Sequence, residues 1–126
     1  MIDLNFLKSI NDTYGHEQGN VAIQRLCSIV CSVFEHSPVF RIGGDEFVVI
    51  LEKIDYKIVD DLVHTFNMII DRISVNEELE PWQRVSAAIG YALYDSNLDN
   101  GVLSVFTRAD QAMYAHKKEM KALREI

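Results

Sequence analysis

Val39-Phe40-Arg41-Ile42-Gly43-Gly44-Asp45-Glu46-Phe47-Val48-Val49-Ile50-Leu51 is the stretch on which the fold of this chain turns. Val39 to Ile42 reads as one strand and Asp45 to Leu51 as a second. Gly43-Gly44 between two apolar runs is a hairpin signal. The tip of this apolar hairpin carries two adjacent carboxylates, Asp45 and Glu46. Turn glycines let a backbone approach a ligand closely, and paired carboxylates are common ligands of a hard cation such as Mg²⁺. The same residues also make an ordinary solvated acidic turn, and composition alone leaves both readings open.

Outward from the hairpin, the chain alternates helices with short strands. Upstream, Val21, Ile23, Leu26, Cys27, Val30, Val33 and Phe34 recur at helical spacing over 17–35, and Pro38 ends that segment. Downstream, Ile58, Val59, Leu62, Val63, Phe66, Ile69, Ile70 and Ile73 predict one helix from Asp55 to Asn76. An acidic loop over 77–81 leads to an alternating strand over 84–94, then to a polar loop over 95–101. The last helix runs from Val102 to about Leu123, with Leu103, Phe106, Ala109, Met113 and Tyr114 expected to face inward. Its basic end, Lys117, Lys118 and Lys121, suits a helix C-terminus. At the front, Met1 to Asn5 reads as the tail of a strand and Phe6 to Asp12 as a short helical turn. Such a mixture predicts an α+β domain with helices packed on a sheet.

The 126 residues read as one domain, 1–126, with ordinary proportions of hydrophobic (48%) and charged (25%) residues. A net charge of −7 argues against a nucleic-acid surface, which needs a basic patch. No run is long enough to cross a membrane. Cys27 and Cys31 lie one helical turn apart, where helix geometry disfavours a disulfide. They read as buried free thiols of a cytoplasmic protein.

Three further stretches carry chemistry. Asp3-Leu4-Asn5-Phe6-Leu7-Lys8-Ser9-Ile10-Asn11-Asp12 places a carboxylate at a strand end before a helix, a way to present a metal beside a phosphate, or simply a capped turn. In Tyr14-Gly15-His16-Glu17-Gln18-Gly19-Asn20, His16 reads as a structural, hydrogen-bonded histidine. Ala109 to Lys121 is, taken alone, an amphipathic helix with a solvated basic end.

Arg41-Ile42-Gly43-Gly44-Asp45-Glu46-Phe47 resembles the signature of the GGDEF family, the diguanylate cyclases. Asp3 to Asp12 is similar to that family's Asp-x-Asp-x-Phe-Lys-x-Ile-Asn-Asp, with Asn5 for the second Asp and Leu7 for Phe. Gly15 to Asn20 resembles Gly-His-x-x-Gly-Asp, with Asn20 for the last Asp. Ala109 to Lys121 resembles Ala-Asp-x-Ala-Leu-Tyr-x-Ala-Lys-x-x-Gly-Arg, with Met120 for Gly and Lys121 for Arg. Ser86 to Ala92 looks like the family's Ser-Ile-Gly-x-Ala strand, with Ala88 for Ser.

The resemblance implies a palm-like nucleotide-cyclase fold, a central, mostly antiparallel sheet with flanking helices. The fold would lack its first helix and most of its first strand, and the loss of that central strand would leave open edges that invite pairing. It implies Mg²⁺ (or Mn²⁺) on Asp3, the Leu4 carbonyl and Asp45, with Glu46 beside them to help deprotonate the attacking hydroxyl or hold a second metal. Lys8, Lys117 and Lys121 would meet the phosphates of GTP, and Gly43 and Gly44 would leave room for the α-phosphate and ribose. Asn11 and Asn20 would meet the guanine. An amide at Asn20 has one acceptor oxygen and brings a donor, so it should relax the preference for guanine over adenine. Phe34 and Ser37 stand where the family's Arg-x-x-Asp product-inhibition site would be, so no such site is expected. The expected activity is condensation of two GTP into cyclic di-GMP by a homodimer of facing domains. The other reading is a catalytically degenerate module that binds nucleotide or a partner domain in regulation.

Overall fold

The structure, a computed structural model, describes residues 1–125. Its elements follow in the order β1 (Ile2–Leu4), α1 (Leu7–Tyr14), α2 (His16–Val33), β2 (Val39–Arg41), β3 (Glu46–Val49), α3 (Lys53–Lys57), α4 (Val59–Ser74), β4 (Ala87–Ile89) and α5 (Val102–Glu125), with a short 3-10 turn at Pro81–Gln83 before β4. The strands form one four-stranded antiparallel sheet in the order β2-β3-β1-β4. The α+β class and antiparallel sheet expected from the sequence are both present.

Ile2–Leu4, which the sequence marks only as the tail of a strand, is the centre of the sheet. Ile2 pairs with Phe47 on one side and Ile89 on the other, and Asp3 pairs with Glu46 and Ala88. Only three residues of that strand are present, and they fill the place between β3 and β4. Alternation along β1 sends Ile2 and Leu4 to one face and Asp3 to the other. On the first face Ile2, Leu4, Phe47, Ala87 and Ile89 pack against Leu26 and Val30 of α2 and Phe66 and Ile70 of α4. Burying a side chain such as Phe47 or Phe66 contributes about 2 kcal/mol. On the second face Met1 and Ala88 pack against Ala109 and Met113 of α5.

Gly90, just past β4, explains how α5 comes so close. A Cβ there would lie 2.0 Å from the Met113 backbone nitrogen and 2.5 Å from the Ala112 carbonyl carbon. Bare backbone at this position therefore sets the height of α5 over the sheet, and with it the height of Lys117 one turn further on.

Several local expectations change. The hairpin forms with Val39 opposite Val49 and Arg41 opposite Phe47. Its connection is wider than a two-residue Gly-Gly turn. Ile42 to Asp45 form a loop closed by the Ile42 N–H donating to the Glu46 carbonyl at 3.0 Å, and neither Gly43 nor Gly44 has a positive φ. Arg41 stabilises this wider loop from below, with Nε donating to the Gly43 carbonyl at 3.1 Å and Nη2 to that of Gly44 at 2.8 Å.

The helix expected from Asp55 to Asn76 begins earlier and breaks at Ile58, where φ −116° and ψ 29° leave the helical region. Asp55, 2% exposed, accepts the His36 N–H at 3.0 Å and the Ser37 hydroxyl at 2.7 Å, which anchors α3 to the α2–β2 corner as a separate turn. The 84–94 strand shortens to Ala87–Ile89, the three residues that pair with β1.

On α5 only Ala109 and Met113 of the expected inward set are buried. Leu103 (77%), Tyr114 (57%) and Phe106 (38%) are exposed, since the helix meets the sheet at its middle. Val21 and Cys31 also lie outside the buried stripe of α2, so the Cys31 thiol is exposed rather than buried, and both cysteines are free. His16, in the first turn of α2, is exposed, and its imidazole makes no hydrogen bond among the described residues. No helix among the described residues is long and apolar enough to cross a membrane.

Candidate active site

The second face of the sheet gathers the carboxylates. Asp3 on β1 and Glu46 on β3 are direct cross-strand partners, so alternation puts both on the α5 side. Asp45, one residue before β3, is tied to β1 through its carbonyl, which accepts the Leu4 N–H at 2.8 Å. The backbone of Leu4 thus fixes the hairpin tip beside Asp3, while its side chain is buried in the core. From α5 the Lys117 ammonium reaches Asp3 Oδ2 at 2.8 Å.

Asp3 is 7% exposed, and its second oxygen, Oδ1, is buried without a hydrogen-bond partner. Burial pushes its carboxyl above the ordinary range and neighbouring Asp45 adds to this, while Lys117 pulls the other way. The Glu46 carboxyl is also raised, first by burial and then by Asp3, Asp45 and Asp110, against Lys117. Like charges close together disfavour ionisation, so this corner is short of positive charge.

A buried carboxylate oxygen with no donor, next to a second carboxylate and a main-chain strand end, is a donor set of hard oxygens. It fits Mg²⁺ or Mn²⁺. Among the described residues no group of three or more His, Cys, Asp or Glu side chains is arranged to hold a metal ion. Two carboxylates completed by water and substrate phosphate are nonetheless a normal Mg²⁺ environment.

The other expected site residues lie on the hairpin loop and on α1, α2 and α5. Gly43 and Gly44 are exposed on the loop above the carboxylates. A Cβ at Gly44 would meet nothing within 4 Å, and one at Gly43 would touch only Glu46, so there is open space over the tip. Lys8 on α1 and Lys121 on α5 are exposed, and neither makes an ion pair among the described residues. Asn11 and Asn20 belong to a separate corner, where α1 and α2 meet. Gly15 alone joins these helices, with φ at 99°, and Asn20 is exposed one residue past buried Gly19.

Three residues escape a reading of the sequence as a site. Asp110 adds its charge to Glu46 from α5, seven positions and therefore two turns before Lys117 on the same helix face, and that spacing was the available signal. Asn5 and Met120, which each depart from the family pattern, prove to be neighbours. Asn5 Nδ2 donates to Ser86 Oγ at 3.1 Å and lies 3.5 Å from Met120 Sδ. The amide thus ties β1 to the segment before β4 and to the far end of α5, a structural role for which no metal is needed.

Comparison with known proteins places this architecture. The family model "Diguanylate cyclase, GGDEF domain" matches residues 1–122. Diguanylate cyclase A of Treponema denticola is 29% identical over 119 residues, covering 94% of this chain and 32% of that protein. Probable diguanylate cyclase DgcE of Escherichia coli is 35% identical over 123 residues, covering 92% of this chain and 10% of that protein. The chain thus spans about a third or less of these curated relatives. Among solved structures, the GGDEF domain of DgcB from Caulobacter crescentus in complex with c-di-GMP superposes with TM-score 0.75 at 26% identity, covering 94% of this chain and 70% of that one. The active GGEEF domain of a diguanylate cyclase from Vibrio cholerae gives TM-score 0.75 at 27% identity, covering 94% and 74%. With its signature loop on the β2–β3 hairpin and its antiparallel sheet matching these domains, the chain belongs to the diguanylate cyclase GGDEF-domain family.

Proposed function

We propose that this chain is a diguanylate cyclase domain that condenses two molecules of GTP into cyclic di-GMP and two pyrophosphates. One observation carries the reading: Asp3, buried and with one unpartnered oxygen, stands across from Glu46 and beside Asp45, with Lys117 at 2.8 Å. In this reading a divalent cation held by Asp3, Asp45 and the Leu4 carbonyl supplies neutralisation of phosphate charge.

The chain's own residues supply position. Lys117 faces both Asp3 and the triphosphate, Lys8 and Lys121 add exposed cations at the phosphate end, and Gly43 and Gly44 leave the hairpin tip open to the α-phosphate. Glu46 is a suitable acceptor for the proton of the attacking 3′-hydroxyl, since its raised carboxyl brings its basicity closer to neutral pH. Each chain holds one GTP. The 3′-hydroxyl of one attacks the α-phosphorus of the other and pyrophosphate leaves, and a second such attack closes the ring, so two copies must face each other.

The test is incubation of the chain with GTP, ATP or both, with Mg²⁺, followed by mass spectrometry of the products. Cyclic di-GMP that vanishes in Asp45→Ala supports the reading. A mixed guanine–adenine product that gives way to cyclic di-GMP alone in Asn20→Asp assigns base choice to Asn20. A folded chain that binds GTP but forms no product at high concentration would instead be a regulatory nucleotide-binding module.

A further inference from the structure

The amide end of the site contains a contact that only glycine allows. A Cβ at Gly19 would lie 1.8 Å from Asn11 Oδ1 and 2.9 Å from Asn11 Cγ. Gly19 is buried in the first turns of α2, and Asn11 sits half-buried on α1 directly over it. The Asn11 carboxamide makes no hydrogen bond among the described residues. Packing on the bare Cα of Gly19 is therefore what holds its direction.

We propose that Gly19 is a positioning residue for purine recognition, the seat that aims the Asn11 carboxamide at the base. The proposal rests on the reading of Asn11 as a base contact. The nearest atoms a Cβ at position 19 meets all belong to side chains, Asn11 first and then Leu7 Cδ1 at 3.4 Å, rather than to the backbone. The cheap response is rotation of Asn11 about its χ angles, which spares the fold and moves the carboxamide. A hydrogen-bonding group displaced in this way no longer pairs with the base, and loss of such pairing is felt in affinity.

The experiment compares Gly19→Ala, Asn11→Ala and the double variant with the unaltered chain. The readouts are thermal unfolding, the side-chain NH₂ signals of Asn11 in ¹⁵N–¹H spectra of the free protein, and affinities for α,β-methylene-GTP and inorganic tripolyphosphate. In Gly19→Ala the protein should unfold within a few degrees of the unaltered chain, and the Asn11 signals should move. Its affinity for the GTP analogue should fall about tenfold, a typical worth of one or two hydrogen bonds, while tripolyphosphate binding stays unchanged. Asn11→Ala should fall by a similar factor, and the double variant no further.

Unmoved Asn11 signals, unaltered affinity for the analogue in Gly19→Ala, or an added loss in the double variant would each overturn the proposal. So would an equal loss of tripolyphosphate affinity, which would mark a general disturbance of the fold. If Asn11→Ala binds the analogue as tightly as the unaltered chain, the base-contact reading itself fails and the proposal fails with it. Loss in Asn11→Ala but not in Gly19→Ala defeats the seat alone.

Discussion

Asp3 and Lys117 meet at 2.8 Å across 114 positions of chain, whereas Asn11 and Gly19 meet where two consecutive helices fold over Gly15. The carboxylate end of the site draws on β1, the hairpin tip and α5, and it exists only when the whole sheet and its covering helix are in place. The amide end belongs to a single helical corner. The first end concentrates like charge at a buried place and the second has no ionisable side chain at its contact. An end assembled from distant elements stores electrostatic cost, because tertiary packing can hold groups together that would otherwise repel. A local corner holds its groups by shape.

The largest break expected between the two ends comes from Asp45→Ala. Product formation should fall at least about a hundredfold, with nucleotide-base binding at the helical corner little changed. Steady-state assay together with analogue binding checks it, and equal losses in both would dissolve the separation of the ends. Gly90→Ala comes next. Its Cβ meets the backbone of α5, which cannot rotate away, so unfolding free energy should drop by about 3 kcal/mol and Lys117 should shift off Asp3. Denaturant titration reads the first effect.

Asp3→Asn sharpens the contrast through pH. The carboxyl of Asp3 is raised in the fold, so its neutral form favours the native state. Stability from this group is present below the ordinary carboxylate range and is lost as pH rises through the raised folded value. Asp3→Asn should therefore gain on the unaltered chain as pH climbs from about 4 toward neutrality, while product formation disappears. Paired melts at several pH values decide it, and a gain that shrinks as pH rises would contradict the sign. The smallest effect belongs to Gly44→Ala, whose Cβ meets no atom within 4 Å. Stability should stay within about 0.5 kcal/mol. A drop in turnover at unchanged stability would mark the space over the hairpin tip as substrate space.

Much of the fold was legible in the chain, for identifiable reasons. The hairpin announces itself through the apolar runs on either side of Gly43-Gly44, and α2 and α4 through stripes of Val, Ile and Leu at helical spacing. The break at Ile58 was hidden because the carboxylate that anchors α3, Asp55, finds its partners at His36 and Ser37, far back in the sequence. Leu103, Phe106 and Tyr114 fit a helical stripe yet stay exposed, because amphipathic spacing says which residues share a face and not where along the helix the sheet lies. At the site, the family resemblance already put Asp3, Asp45 and Glu46 side by side, but the pairing of Lys117 with Asp3 was not legible. The contact of Asn5 with Met120 was invisible for the same reason, since each reads alone as a departure from a pattern.

By itself, then, the sequence determined the class of fold, the hairpin with its acidic tip and the residue types available for phosphate, base and metal. These follow from short-range rules of periodicity, turn composition and side-chain chemistry. Only the tertiary structure decided that three residues at the front form the middle of the sheet, that Asp3 is buried with one oxygen unpartnered, and which lysine answers it. Those outcomes depend on strand order and on how closely α5 can approach past Gly90, which are properties of packing between segments that no local pattern encodes.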